Sequence, residues 1–294
     1  MGSLGDMKRI ARLLLPPVLV DLLEDKLRGM SRRQGVLKYA PEGWKTEQES
    51  SMRGWNAEDI IQAKKTNLDE FFQHVRGTGP LVFSPERTDV SDTQKLSIHN
   101  IYMTYAYVLA LAAHHKTRVS ILDYGGGLGH FYQIGKTLLP AVTLEFHCRE
   151  LPLMAETGKR LNPEVCWYTD ESFLKRSYDL VMVNASLQYV HQWQDTLGRI
   201  GAAVNDEGYL LLTRLPVVQG PSFVAIQRLY GSEMMHWQLN EDAVLEVVGS
   251  IGLRLVREMF VGDRPYITGA PMGCELKGWL FKREPADEKK AASK

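Results

Sequence analysis

The stretch DYGGGLG, residues 123–129, decides the fold of this chain. It ends the short apolar run Val119–Tyr124, which is typical of a buried strand, and a pattern with helical spacing follows it. Glycines at such a turn allow a tight bend and the close approach of a ligand to the backbone. The glycines at 125, 127 and 129 do not meet the GxGxxG spacing of dinucleotide-binding proteins. The stretch therefore predicts a ligand-binding loop and disfavours an NAD-dependent oxidoreductase.

Apolar runs recur after this loop and alternate with segments of helical spacing, one of which Pro140 ends. Such alternation is typical of βαβ units and a mostly parallel sheet. We therefore predict an α/β, Rossmann-like domain with a seven-stranded, mostly parallel sheet and helices on both faces. The predicted strands are residues 119–124, 142–148, 165–168, 178–183, 208–213, 253–260 and 275–282.

The sequence before this domain is aromatic-rich and predicts an N-terminal helical cap. Asn56 is expected to cap a helix that continues through Val75, and the polar stretch Ser84–Ser97 is expected to be a loop. A second helix is predicted from about Ile98 to His114. The predicted division is a cap that covers the substrate (1–115), the main domain (116–284) and a disordered tail (285–294).

Composition excludes several classes of function. Lys plus Arg and Asp plus Glu both total 35, so the chain lacks the basic excess that nucleic-acid binding and polybasic membrane anchoring require. The three cysteines have no metal-ligand spacing, which disfavours a zinc or disulfide framework and favours the cytoplasm. No acidic cluster indicates Mg²⁺. The most apolar early stretch, Ile10–Leu23, is too short to span a membrane and is a candidate contact in a homodimer.

An acidic residue stands two places before the first glycine of the loop, which matches the DxGxGxG pattern of S-adenosylmethionine (SAM) methyltransferases. From about residue 117 to 283 the chain resembles a class I SAM-dependent methyltransferase. It also resembles a little-characterised bacterial methyltransferase family that is often associated with surface-polysaccharide gene clusters. Further motifs support this resemblance: LPP (15–17), GWN (54–56), CRELP (148–152), SLQYV (186–190) and TRLP (213–216).

The chain departs from that family at two places. The family commonly has serine where Gly127 and Gly129 stand, and it commonly has a Tyr-Pro pair near Met235-His236, which is missing here. The first departure brings the loop closer to the general methyltransferase form. The second puts any acceptor inherited from the family in doubt. The resemblance therefore specifies the cofactor better than the substrate.

The resemblance implies that SAM binds across Asp123, Gly125, Gly127 and Gly129. Glu150 stands about 20 residues beyond the loop, where a carboxylate can accept hydrogen bonds from the ribose hydroxyls. Glu145 is the alternative, but it falls inside the predicted strand. Asp170 and Glu171 are candidates for the adenine amino group or for a solvated turn, and Asn184 is a candidate for the methionine part or for a helix cap.

Methyl transfer from a sulfonium is an in-line displacement, so positioning of the acceptor is most of the task. His191 and His236 are candidate bases, with Tyr189 beside the first, although Tyr189 can simply pack and His191 can simply be a surface residue. The stretch Val217–Leu239 is predicted to be a long acceptor-binding loop, with core packing or a dimer contact as alternatives. The candidate acceptor-binding residues are Gln188, Arg214, Tyr230, Trp237 and Tyr102, and Arg214 is equally a candidate for a plain ion pair.

The sequence thus predicts a SAM-dependent methyltransferase that acts on O or N of a small metabolite or glycan precursor and releases S-adenosylhomocysteine (SAH). The alternative is an inactive, methyltransferase-like binding or scaffold subunit. The intact glycine loop argues against that alternative.

Overall fold

The computed structural model describes residues 36–85 and 92–284. From Leu37 onward the described residues form one compact unit. The apolar stretch Ile10–Leu23 with its LPP motif and the predicted tail 285–294 lie outside the described residues, and the expectations for them stay predictions.

A seven-stranded sheet forms the centre of this unit, as the sequence predicts. The strands are β2 Arg118–Tyr124, β3 Thr143–Arg149, β4 Cys166–Tyr168, β5 Tyr178–Asn184, β6 Val204–Val218, β9 Leu253–Phe260 and β11 Glu275–Arg283. Their order in the sheet is β4-β3-β2-β5-β6-β11-β9; β2 to β6 pair in parallel, and β11 runs antiparallel to both β6 and β9. This is the Rossmann-like fold of class I methyltransferases.

Helices cover both faces of the sheet because consecutive strand residues point to opposite sides. On β2, Ile121 belongs to the core on one face, under α4 and α5, whereas Leu122 belongs to the core on the other face, under α7 and α8. Both side chains are fully buried. The helices are α4 Asp92–Ala113, α5 His130–Leu138, α6 Pro152–Leu161, α7 Trp193–Ala202 and α8 Glu241–Ser250.

Four further strands extend the sheet to eleven in the described part of the chain. They are β1 Val36–Ala40, β7 Phe223–Leu229, β8 Ser232–Asn240 and β10 Ile267–Thr268. The prediction of a long loop over Val217–Leu239 is wrong, because β7 and β8 form an antiparallel hairpin there. Tyr230 (φ +50°) and Gly231 (φ +75°) make its two-residue turn. β8 then joins the end of β6 in parallel, which puts the hairpin at the carboxyl edge of the sheet.

The segment before β2 is helical with one strand, and three details differ from the prediction. The helix expected to run through Val75 is interrupted, giving α2 Glu58–Lys65 and α3 Leu68–Arg76 after a short α1, Thr46–Ser51. Asn56 does not cap α2; its Oδ1 accepts a hydrogen bond from the Leu153 backbone N–H at 3.0 Å, at the start of α6. Within the expected loop 84–97, residues 92–97 are helical, since α4 begins at Asp92.

Within the described residues, one helix, Gln94–Ala113, is long and apolar enough to cross a membrane by length and composition. It belongs to α4, whose side chains Tyr105, Val108 and Leu109 are buried in the core beside the sheet. Core helices pass the same test, so this observation is weak evidence for a membrane span.

Candidate functional site

The loop after β2 has the backbone conformation that its glycines predict. Gly125, Gly127 and Gly129 have φ of +75°, +62° and +79°, a left-handed conformation that residues with a Cβ adopt only at a cost. Glycine is required at position 126 for a different reason, because a Cβ there would overlap the Asp123 carboxylate. The four glycines therefore hold the chain close over the end of β2 without a Cβ between the loop and its surroundings.

The carboxylate of Asp123 lies beneath this loop without a hydrogen-bond donor among the described residues. Its side chain is fully buried, and neither carboxylate oxygen has a partner among the described residues. Burial, and to a smaller extent the charge of Glu150, raise the pKa of Asp123 to about 8. A buried acceptor without a partner is costly, which indicates that a group absent from the protein alone completes this site.

Glu150 directly follows β3, the neighbour of β2, so the two acidic residues share one edge of the sheet. Its Oε1 accepts from the Gly127 N–H at 2.8 Å and its Oε2 from the Leu151 N–H at 2.7 Å. Burial raises the pKa of Glu150, and the two N–H groups oppose that rise. Glu145, the alternative, pairs with Ser120 inside the strands and forms an ion pair with Arg118.

Lys64 on α2 reaches the same loop, and sequence reasoning did not find it. Its Nζ lies 3.8 Å from the position that a Gly127 Cβ would take and 5.5 Å from the centre of the Trp55 ring. Its charge also opposes the rise in the pKa of Glu150. No local motif marks this residue, because only the packing of α2 beside the loop brings it there.

The other predicted cofactor residues have different surroundings. Asn184 ends β5 beside the loop, and its Oδ1 is buried without a partner among the described residues. Asp170 is exposed and caps a short 3-10 turn by accepting from the Ser172 N–H at 2.9 Å. Glu171 is exposed and forms an ion pair with Arg199. A solvated turn, the alternative given for Asp170 and Glu171, accounts for both.

A wall of three rings stands at the same edge, and we call Trp55, Tyr189 and His236 the ring wall. The Tyr189 ring lies 5.0 Å from Trp55 and 5.1 Å from His236, nearly perpendicular to both. Tyr189 belongs to the 3-10 turn Leu187–Tyr189 after β5, whereas His236 comes from β8. The turn and the hairpin therefore meet, together with the loop before α2.

His236 is buried and neutral at physiological pH. Burial lowers its pKa to about 3. The Gln238 side-chain amide donates to the His236 carbonyl and also approaches Nδ1 at 2.7 Å, so Nδ1 accepts and Nε2 carries the proton. This arrangement makes His236 a hydrogen-bond donor rather than a base.

His191 has the opposite environment. It is exposed, and its ring stacks on Trp44 with centroids 5.4 Å apart. Trp237 stacks on the same Trp44 at 5.6 Å and donates from Nε1 to the His191 carbonyl at 3.3 Å. His191 and Trp237 thus belong to one aromatic cluster, and the ring contacts of His236 are to a different residue, Tyr189.

Two predicted acceptor-binding residues lie near the ends of β5 and β6. Gln188 is 3% exposed, and its Oε1 has no partner among the described residues. Arg214 is half-buried in a β-bulge opposite Gly278 with φ +56°, and it makes no ion pair with a residue that the structure describes. The plain ion pair offered as the alternative for Arg214 is therefore not found there.

Two others have packing roles in the structure. Tyr102 is buried among the rings of Phe71 and Phe131, and its hydroxyl donates to the Phe83 carbonyl at 3.2 Å. Tyr230 occupies the hairpin turn and packs on the small core that includes Met234. No group of three metal-ligating side chains exists among the described residues.

These features fit SAM. The ammonium and sulfonium charges of SAM suit an edge that carries the carboxyl groups of Asp123 and Glu150. Its ribose hydroxyls can donate hydrogen bonds to Glu150. A ligand that lies close to the loop backbone also needs the space that a Cβ at Gly127 would take. Lys64 adds a cation at the same loop, and the carboxylate of SAM is the group of that cofactor that suits a cation. The residues of this edge therefore match the groups of that cofactor.

Comparison with known proteins agrees with this assignment. Residues 99–243, just under half of the chain, match the family model described as Methyltransferase domain. Together with the sheet order and the glycine loop, this match defines the class: the chain carries a class I methyltransferase domain. The domain match and the fold indicate methyl transfer, and SAM is the cofactor that the residues of this edge fit. No curated protein matches the sequence.

Solved structures with the same fold are distant in sequence. A putative SAM-dependent methyltransferase from Listeria monocytogenes is 11% identical, with 63% of this chain and 99% of that chain covered and a TM-score of 0.47. A putative sarcosine dimethylglycine methyltransferase from Galdieria sulphuraria is 13% identical, with 74% and 98% covered and a TM-score of 0.47. An O-methyltransferase family protein from Burkholderia thailandensis is 16% identical, with 94% and 87% covered and a TM-score of 0.43.

Proposed function

We propose that this protein transfers a methyl group from SAM to a nitrogen or oxygen atom of a small metabolite or glycan precursor. The observation that carries the proposal is the carboxyl edge of the sheet, where an unpartnered buried Asp123 lies under a left-handed glycine loop next to the ring wall. The balanced net charge supports a small acceptor over nucleic acid. The glycan option and a bacterial, cytoplasmic, biosynthetic setting draw on the family resemblance and the cysteine pattern.

On the cofactor side, Glu150 accepts from the ribose hydroxyls while its backbone contacts hold the carboxylate in place. Asp123 and Asn184 supply acceptors for the positively charged methionine part, and Gly125, Gly127 and Gly129 let it approach. The bound cofactor supplies an electrophilic methyl group on a sulfonium.

On the acceptor side, the ring wall bounds the space where the acceptor binds. Gln188 accepts a hydrogen bond from the acceptor, and His236 donates one through Nε2. Arg214 pairs with an anionic group, where the acceptor carries one. Trp237 and His191 close the rim through their stack with Trp44. Positioning in a desolvated site supplies most of the rate enhancement.

Calorimetry with SAM and SAH tests the cofactor site. Glu150→Ala should weaken SAH binding at least about tenfold, because charge-assisted hydrogen bonds to the ribose are lost. Glu145→Ala is the matched control, since that carboxylate lies on β3, the strand that Glu150 follows, and pairs with Arg118. Absence of binding by the intact protein, or equal binding by both variants, would overturn the proposal. Tight SAH binding without transfer to any acceptor would favour the inactive scaffold instead.

A further inference from the structure

Three neutral polar atoms on the ring wall and on the elements that carry it are buried without a partner among the described residues, and the ammonium of Lys64 lies 5.5 Å from the centre of the Trp55 ring. Trp55 Nε1, Gln188 Oε1 and Ser232 Oγ are all buried without a hydrogen bond to any described residue. Gln188 is the neighbour of Tyr189 in the turn after β5, and Ser232 begins β8, the strand of His236. Such atoms are stabilised when a ligand supplies the missing partners. The acceptor therefore carries both donor and acceptor groups.

No side chain of the ring wall can remove a proton from an alcohol near neutral pH. His236 holds its proton on Nε2, and burial lowers the pKa of its ring to about 3. The Tyr189 hydroxyl donates its proton to Gln227 Oε1 at 2.7 Å. His191 is exposed and stacks on Trp44, outside the ring wall. Asp123 lies beneath the glycine loop, on the cofactor side.

An alcohol acceptor needs a base, whereas a neutral amine attacks with its own lone pair. The amine route also produces a cation next to aromatic rings, and aromatic faces attract alkylammonium groups. Trp55 and Tyr189 supply those rings, and Gln188 supplies a carbonyl that can accept an amine N–H.

We propose that the methyl acceptor is an amine, held by Gln188 Oε1 and enclosed by the ring wall. The nitrogen lone pair forms the C–N bond as the C–S bond breaks, sulfur keeps the electron pair of that bond, and the alkylammonium product then releases a proton to water. This inference rests on the proposed function and names the substrate class of the same site. Gln188 and Trp55 are positioning and binding residues, and none of the ring wall acts as a base.

Matched acceptor pairs test the proposal. Transfer of labelled methyl from SAM is measured for glucosamine against glucose, aniline against phenol, and ethanolamine against ethylene glycol. Label on the amine members supports an amine acceptor. Equal or greater label on the hydroxyl members overturns it, and so does label on no member while SAH still binds. If the intact protein did not bind SAH at all, that result would overturn the proposed function and not the choice of acceptor.

A second experiment needs no acceptor. Choline and its neutral isostere 3,3-dimethylbutan-1-ol are titrated into the SAH-loaded protein by calorimetry. We expect choline to bind roughly tenfold more tightly, because only its head group is charged. Trp55→Leu should abolish the difference, whereas Phe260→Leu, an exposed ring on β9 outside both aromatic clusters, should keep it. Equal affinity for the two compounds, or an equal effect of both variants, would overturn the aromatic site for a cation.

Gln188→Met tests the positioning role on whichever amine is labelled. It keeps the length of the side chain and removes the accepting oxygen. Turnover should fall at least about tenfold with SAH affinity unchanged, because orientation of the nitrogen is lost. An unchanged turnover would show that Gln188 does not hold the amine.

Discussion

Replacing Gly127 with alanine should weaken cofactor binding at least about tenfold while leaving the fold intact. A Cβ at this position would meet nothing closer than Lys64 Nζ at 3.8 Å, so it would point into open space above the loop. That space is where a ligand on the loop would lie. Gly125→Ala is the matched comparison, because a Cβ there would overlap Ser186 and come within 2.8 Å of its Oγ.

The two substitutions share one cost and differ in another. Both force alanine into a left-handed conformation, φ +62° and +75°, which costs about 1–2 kcal/mol. Gly125→Ala must also displace Ser186, whose Oγ donates to the Tyr124 carbonyl at 2.6 Å. The lost hydrogen bond and the overpacking add about 2–4 kcal/mol. With about 2–4 °C per kcal/mol for a unit of this size, the melting temperature should fall by about 2–8 °C for Gly127→Ala and by at least about 6 °C for Gly125→Ala.

Thermal melts and SAH calorimetry on both variants provide the measurement. Gly127→Ala should remain folded at room temperature and bind SAH at least about tenfold more weakly, because its methyl occupies the ligand's path. Binding of SAH by Gly127→Ala within about twofold of the parent protein would refute the reasoning, since the cofactor would then not approach the loop at this glycine.

Three further predictions concern stability and the cap. Because the folded pKa of Asp123 is raised to about 8, its contribution to stability is fully present below its unfolded pKa, near 3.8, and is lost progressively as the pH rises from there through 8. The melting temperature of ligand-free Asp123→Asn should therefore fall less steeply between about pH 5 and 8 than that of the parent protein, and parallel curves would contradict this. Lys64→Met should weaken SAH binding several-fold in calorimetry through loss of a cation beside Glu150, whereas Lys65→Met, exposed on the same helix, should not; equal effects would exclude a specific role for Lys64. Asn56→Ala should lower the melting temperature by about 2–4 °C, because its hydrogen bond ties the loop before α2 to α6, and an unchanged melt would show that this bond is dispensable.

The parts of the site predicted from sequence are those set by local geometry. Three loop glycines were expected to need glycine's conformational freedom, and all three have positive φ. Glu150 could be found because parallel neighbours such as β2 and β3 end at the same edge, which fixes where the next acidic residue must stand. Its use of the Gly127 N–H was not predictable, since it depends on how the loop folds back over β3.

The hairpin of β7 and β8 was not predicted because its turn lacks the residues that usually mark a two-residue turn. Two-residue hairpin turns favour Asn-Gly or Asp-Gly, but Tyr230 holds the first position here at φ +50°. The apolar run from Phe223 onward therefore gave no reason to divide it into strands. Trp55 and Lys64 were not predicted for another reason: the packing of α2 and of the loop before it beside the glycine loop brings them to the site, and no spacing along the chain records that packing.

Environment also reverses the roles that residue type alone suggests for the two histidines. Histidine is the usual base near neutral pH, but that depends on access to water and on a nitrogen free to take a proton. His236 loses both conditions to burial and to Gln238, whereas His191 keeps its exposure but stacks outside the ring wall. Among the residues that the structure describes, the ring wall offers no base, so our proposal assigns the chemistry to an acceptor that is already nucleophilic and is held in line with the methyl group. A neutral amine meets that requirement without any help from a protein base.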